Sequence, residues 1–251
     1  MIADVYFTYA LAGLCVAAIL ANAVRIAVRQ PARSERVERA GGSILLGKGL
    51  MNWAYWAVEP AVRGLAAIGV SANALTWSSL VLGVGAGVAV ATGWFGLGCL
   101  LATCSTVGDL LDGQVARLTN TGSDRGELLD AAIDRYTEGA LLIGLAIFFR
   151  ASVPLMFTAL IAWQASFMIS YASAKAEALH VAVPNGLMRR HERSTYLIVG
   201  VGLSSLIGDR LAAHWPTLTR ETPAIAALVL IAVVGNVAAV VRFVRIGRGL
   251  R

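Results

Sequence analysis

Acids are scarce in this chain. Of its 251 residues only 15 are Asp or Glu against 21 Lys or Arg; charged residues make up 14% and hydrophobic ones 57%. With a mean hydropathy of +0.70, that balance excludes an ordinary soluble domain, in which about a quarter of residues are charged, and leaves a multi-span membrane protein. Cysteine is sparse too. Cys15, Cys99 and Cys104 are odd in number, lie inside apolar segments and show no C-x-x-C spacing, so neither a zinc site nor a disulfide framework is indicated and they read as small packing residues. His180, His191 and His214 share no helical face and are given no role. No Ser-His-Asp, Cys-His or H-E-x-x-H arrangement and no transporter-like internal repeat is present. The net charge of +6 would suggest nucleic acid in a soluble protein. Here the arginines cluster beside apolar segments, as positive-inside topology and anionic lipid surfaces require, and nucleic acid is set aside as a partner.

Against that background residues 109–134, DLLDGQVARLTNTGSDRGELLDAAID, stand out. Asp109 and Asp112 are three apart, Asp130 and Asp134 four apart, and both spacings put side chains on one face of a helix. The polar stretch TNTGSDR between them contains Gly122, which can turn the chain back so that two helices present their carboxylate edges to each other. Four such carboxylates repel one another unless cations compensate them. An oxygen-only set of this kind suits Mg²⁺ or Mn²⁺, as one ion or a pair. Gly113 and Ala116 on the first helix, and Gly126 one turn before Asp130, let a bulky ligand approach the backbone, while Arg117 offers a forked cation to a phosphate. The stretch reads as a site for a metal-bound diphosphate. Its bland alternative is a polar hairpin with solvated acids at a membrane surface.

Written with gaps, the stretch is D-x2-D-G-x2-A-R-x8-G-x3-D-x3-D, from Asp109 through Asp112, Gly113, Ala116, Arg117, Gly126 and Asp130 to Asp134. That pattern is similar, without a departure, to the signature of the CDP-alcohol phosphotransferase (phosphatidyltransferase) family. The resemblance implies an all-α, polytopic membrane protein with six core helices, which joins a CDP-linked alcohol to a second alcohol and releases CMP. It implies a homodimer, metal at Asp109, Asp112, Asp130 and Asp134, and Asp134 as the general base for the acceptor hydroxyl. Asp112, Gly113, Ala116, Arg117 and Gly126 would then meet the CDP moiety.

The rest of the chain supplies the spans. Residues 5–28 are long enough to cross the roughly 30 Å hydrocarbon layer, and their positive charges follow the apolar run rather than precede it, so they read as a retained helix with its N-terminus outside. RQPARSERVERAGG follows as a basic cytoplasmic linker, completing a segment at 1–42. Residues 43–70 mix Trp53, Tyr55 and Trp56 with Lys48, Glu59 and Arg63, as an amphipathic helix lying in the interface would. Residues 71–251 hold the six-helix core, with spans at 75–93, 96–107 continuing into the motif, 126–149, 154–173, 196–207 and 223–244. Ser71 or Asn73 caps the first of these, and Gly83, Gly85 and Gly87 form a helix-packing face. Counting from an external N-terminus places the motif and most cations on the cytoplasmic side of a bacterial or archaeal plasma membrane.

A second polar cluster, Lys175, Glu177, Arg189, Arg190, His191, Glu192 and Arg193, joins the fourth and fifth spans. Arg189 and Arg193, four apart, are candidates to hold an acceptor's phosphate, the alternative being plain topological anchoring. The Y-A-S-A-K-A-E and R-H-E-R runs resemble the branch of the family that makes phosphatidylinositol phosphate, although Ser173 stands where that branch places a lysine. The leading expectation is transfer of a phosphatidyl group from a CDP-linked lipid such as CDP-diacylglycerol to a small polar alcohol. Two alternatives remain: transfer of a CDP-linked head group of the choline or ethanolamine type onto a lipid hydroxyl, resembled by residues 119–128, and a non-enzymatic divalent-cation carrier.

Overall fold

The structure is a computed structural model that describes residues 2–28, 47–182 and 186–250; the basic linker lies outside them. The described residues are helical and contain no strand. Helix α1 is Ile2–Val28, α2 Gly47–Ala67, α3 Ala72–Ala91, α4 Phe95–Leu118, α5 Asp124–Phe148, α6 Val153–Ala178, α7 Arg190–Leu206 and α8 Gly208–His214. The last, α9, runs over Thr222–Gly249 with a π-helical turn at Ile231–Gly235.

Five of these are long and apolar enough to cross a membrane: the Ala3–Ala21 stretch of α1, α3, α4, α6 and α9. Helix α7 and the short α8, bent from it by 64°, form a sixth if taken as one broken span. Helix α5 fails on composition, not length: its 25 residues reach about 37 Å at 1.5 Å each, but Asp130, Asp134 and Glu138 interrupt the apolar run. Those acids are half-buried or buried, so the polar edge is turned into the bundle. The expected fifth span starts six residues early, at Arg190 instead of 196, and the R-H-E-R run is its first turn, not a connecting loop.

The connections explain which ends meet. Ser71 caps α3, its hydroxyl accepting from the Ala74 N–H at 3.2 Å. Between α4 and α5 the left-handed residue is Asn120 (φ 54°), while Gly122, expected to make the turn, has no such conformation; Ser123 then caps α5 by accepting from the Gly126 N–H at 3.1 Å. Asn suits that position because its short polar side chain tolerates the left-handed region. The result is an antiparallel α3–α4–α5 unit with the start of α3, the end of α4 and the start of α5 at one end, called here the motif end.

Glycine sets how tightly this unit closes. A Cβ at Gly87 would collide with the Ala140 backbone, one at Gly144 with the Gly87 backbone, and one at Gly83 with Thr137. Backbones of α3 and α5 therefore touch, the small-residue packing that membrane helices rely on when hydrophobic burial gives no drive. Gly85, on another face, meets only Leu101 of α4. On α6 the fully buried Ala159, Ala162, Ala165, Ala172 and Ala176 admit α9 in the same way, where Gly235 lies against Ala165. Phe95, Leu142, Leu145, Leu197, Leu228 and Ile231 fill the centre, while Val81, Val88, Phe157, Phe167, Val237 and Val240 point outward as a lipid-facing belt.

The extra N-terminal helix is tied in at the end opposite the motif. Buried Asp4 accepts from the Leu97 N–H at 3.0 Å and from the Ser205 hydroxyl at 3.3 Å, with Arg220 at 3.5 Å. Gly96 makes room for it, since a Cβ there would strike the Asp4 carbonyl. Helix α2 packs on α4, and its Trp53 donates to the Ala18 carbonyl of α1 at 3.2 Å.

Gly87→Ala should destabilise the detergent-solubilised protein by about 1–3 kcal/mol through overpacking. Gly64→Ala, at a helical position with open space around it, should be neutral or stabilise by about 0.5–1 kcal/mol. Thermal unfolding followed by fluorescence checks the pair; equal melting temperatures for Gly87→Ala and wild type would remove the packing argument.

Candidate active site

At the motif end the two carboxylate edges face each other. One carboxylate oxygen each from Asp109, Asp112 and Asp130 lie within 4.8 Å of one another. Asp112 is buried, and its Oδ2 accepts from the Thr76 hydroxyl of α3 at 2.6 Å, which fixes its orientation. Asp130 Oδ1 is buried and accepts no hydrogen bond among the described residues. An unpartnered carboxylate oxygen beside two other carboxylates is costly unless a cation sits with it. Three hard oxygen donors at that separation fit a divalent ion of the Mg²⁺ or Mn²⁺ kind.

Asp134 is turned differently. It lies one helical turn beyond Asp130 and is buried, outside the trio of converging oxygens, with its Oδ1 paired to Arg190 Nη2. Arg190 also donates to Asp109 Oδ2 at 2.8 Å, so one guanidinium from the first turn of α7 bridges α4 and α5. Arg135 stands 3.5 Å from Asp134 on the outer side.

The small residues of the motif lie at the same end of the bundle. The Arg117 guanidinium folds back over Gly113, where a Cβ would sit 3.4 Å from its Nη1, so the pair forms a cation over bare backbone. Gly126, at the start of α5, faces the Asn73 side chain of α3, whose Oδ1 would lie 3.8 Å from a Cβ there. Ala116 is half-buried on α4, next to Arg117. The eight motif residues are thus collected at one end of α4 and α5, as their spacing implies.

The acceptor candidates divide. Arg193 is fully buried, and its guanidinium is held by both Glu138 oxygens, at 2.6 and 2.9 Å, and by the Met188 carbonyl. That engagement leaves it no face for a phosphate, a correction to its expected role. Arg189 is the N-cap of α7, its own N–H donating to Glu192 Oε2 at 3.1 Å. Arg190, named on the sequence only as a member of the polar cluster and not as an acceptor candidate, is the cation that bridges Asp109 and Asp134. Arg242 of α9 was also missed: it is buried near the motif end, donating to the Ser173 hydroxyl at 3.1 Å and to the Leu187 carbonyl at 3.3 Å. Spacing alone could have marked Glu138, four residues beyond Asp134 and at the head of the apolar run 139–149. Nothing local distinguishes Thr76 or Arg242 from capping and anchoring residues.

Comparison with known proteins bears on the fold and the family. The CDP-alcohol phosphatidyltransferase family profile matches residues 69–244. Phosphatidylinositol phosphate synthase of Mycobacterium tuberculosis is 34% identical over 165 residues, covering 62% of this chain and 72% of the relative. The enzyme of that name from Corynebacterium glutamicum is 34% identical over 154 residues, covering 59% and 70%. Among solved structures, the M. tuberculosis synthase in complex with manganese and citrate superposes with a TM-score of 0.65 at 26% identity, covering 75% of this chain and 88% of that one. The same synthase with CDP-DAG bound gives 0.62 at 27% identity, covering 76% and 91%.

Asp112→Asn removes charge but little volume and should lower transfer activity by roughly two orders of magnitude or more while leaving the fold intact. Thr76→Val, which removes only the hydrogen bond that orients Asp112, should weaken Mn²⁺ binding roughly 10- to 100-fold. Titration of the purified protein with Mn²⁺ by electron paramagnetic resonance checks both; wild-type Mn²⁺ affinity and activity in Asp112→Asn would sink the metal-site reading.

Proposed function

The chain belongs to the CDP-alcohol phosphatidyltransferase family, membrane transferases that use a divalent metal to move a substituted phosphate group, and from that premise we propose which groups of this protein do the work. Its reaction is phosphatidyl transfer from a CDP-linked lipid to the hydroxyl of a small polar alcohol, with release of CMP. In the proposed reading the lipid donor is CDP-diacylglycerol and the acceptor is a phosphorylated polyol, inositol phosphate in the first instance. The observation that carries the acceptor is Arg190, one guanidinium shared by Asp109 and Asp134 at the mouth of the site, with Arg242 at Ser173 supplying a cation near the position where a lysine was expected. The relatives, named for making phosphatidylinositol phosphate, point the same way.

Asp109, Asp112 and Asp130 would hold Mg²⁺ or Mn²⁺, one ion or two, and such an ion offsets the diphosphate charge and stabilises departing CMP. Arg117 over Gly113 would grip the CDP diphosphate, with Ala116 and Gly126 leaving room for the nucleotide. Asp134, outside the converging trio, would remain available as general base. Arg190 would draw the acceptor phosphate to the carboxylate that takes the hydroxyl proton. The acceptor oxygen then bonds to the lipid-side phosphorus as the bond to CMP breaks, in one displacement without a covalent intermediate. The motif contains no Ser, Cys or His nucleophile placed for a two-step route; Ser123 is occupied as a cap. The motif end would face the cytoplasm, where nucleotide and polar acceptor are supplied, α2 would lie in the membrane–water interface, and the protein would work as a homodimer.

Incubating purified protein with Mg²⁺, labelled CDP-diacylglycerol and either inositol phosphate, glycerol phosphate, free inositol or serine tests this. CMP release should require a phosphorylated acceptor; equal turnover with free inositol would overturn the acceptor. Arg190→Gln should raise the acceptor KM roughly ten- to a hundred-fold, the loss of one charge-assisted contact of about 1.5–3 kcal/mol, and Arg117→Ala should do the same to the KM for the liponucleotide.

Orientation has its own check. With exposed Cys15 and Cys104 and buried Cys99 replaced, Ser123→Cys should react with a membrane-impermeant thiol reagent only after the cytoplasmic face is opened. Labelling in intact cells would reverse the topology.

A further inference from the structure

Asp134 and Glu138 are four residues apart on α5, and Arg190 and Arg193 three apart on α7, so each pair shares one helical face. The two faces meet as a ladder with two rungs. Asp134 to Arg190 forms the upper rung beside the converging carboxylates. Glu138 to Arg193 forms the lower, one turn deeper, with Arg193 fully buried and two-pronged at 2.6 and 2.9 Å. The rungs differ in what surrounds them. Arg190 is 28% exposed in its side chain and shares itself between Asp134 and Asp109, whereas Arg193 is closed off and its third contact is the Met188 carbonyl, at a residue in the left-handed conformation (φ 61°) just before α7 begins. The lower rung therefore ties α7, which packs mainly on α4 and α9, across to α5 and to the turn through which the chain enters α7.

We propose that Glu138 and Arg193 are positioning residues for the reaction centre: by locking α7 to α5 they determine where Arg190 stands, and so how strongly it competes with the metal for Asp109 and how it presents itself to Asp134 and the acceptor. A planar guanidinium gripped by two carboxylate oxygens is the arrangement that sets geometry as well as strength, and neither lysine nor a neutral amide reproduces it. The acceptor arm of this proposal rests on the function proposed above; the metal arm does not.

The test is a double-mutant cycle on the purified full-length protein in detergent, read by Mn²⁺ affinity without substrates and by the two KM values. Glu138→Gln keeps the volume and gives up the charged grip. It should tighten Mn²⁺ binding about three- to ten-fold, because a loosened Arg190 yields the carboxylates more readily, and should raise the acceptor KM by a similar factor with the liponucleotide KM unchanged. In an Arg190→Gln background the same substitution should change neither. A shift of equal size in both backgrounds, no shift, or weaker Mn²⁺ binding overturns the proposal, since a merely structural pair would act regardless of Arg190. Should Glu138→Gln fail to insert, Arg193→Lys carries the same cycle with the same expected signs. If Arg190→Gln alone leaves the acceptor KM at its wild-type value, the acceptor reading falls, and the ladder is then decided on Mn²⁺ binding alone.

Discussion

Carboxylates gathered at one end of an apolar bundle repel one another, and every other feature of the motif end answers that repulsion. Water screens such charges poorly inside a protein, so the cost falls only if cations come close or the groups are individually hydrogen-bonded. Here two of the answers come from other helices, a hydroxyl from α3 on Asp112 and a guanidinium from α7 across Asp109 and Asp134, while the oxygens of Asp109, Asp112 and Asp130 converge closely enough to share a metal. The hydroxyl and that guanidinium both come from outside the helix hairpin that supplies the acids.

That dependence explains why the bundle is packed as it is. Thr76 reaches Asp112 only because α3 lies close beside α4 and α5, and Gly83, Gly87 and Gly144 let the α3 and α5 backbones touch. Arg190 reaches the aspartates from the first turn of α7, and one turn below it Arg193 is fastened to Glu138. Small residues set how closely the helices approach, and the buried charge pair ties α7 to α5 across the bundle. A buried ion pair contributes little net stability for the desolvation it requires, so its presence in the middle of the bundle is better understood as a constraint on geometry.

The extra N-terminal helix shows the same economy at the other end. Asp4 would be unfavourable in a free membrane helix, and it is accommodated by a backbone N–H, a hydroxyl and Arg220 drawn from the family core. Helix α1 is therefore docked by a specific polar contact at its start, while residues further along, such as Leu14, Val16, Ile19 and Leu20, stay exposed to the apolar surroundings.

By itself the sequence determined the all-helical membrane class, the approximate helices and the eight motif residues, because hydropathy, i,i+3 and i,i+4 spacing and glycine placement are local properties of one chain segment. It also indicated the packing role of the glycine run, since a glycine-rich face in an apolar helix has few other uses. It misassigned the turn to Gly122, where Asn120 takes the left-handed conformation, and it gave Arg193 a ligand's role because two arginines four apart look alike in one dimension. Only the tertiary structure decided which arginine is buried and which faces the acids, that Thr76 orients Asp112, and that Arg242 turns inward to Ser173. The physical reason is that a charged side chain's role is set by what lies opposite it across a helix interface, and its partners here sit 36, 55, 69 and 81 residues away along the chain.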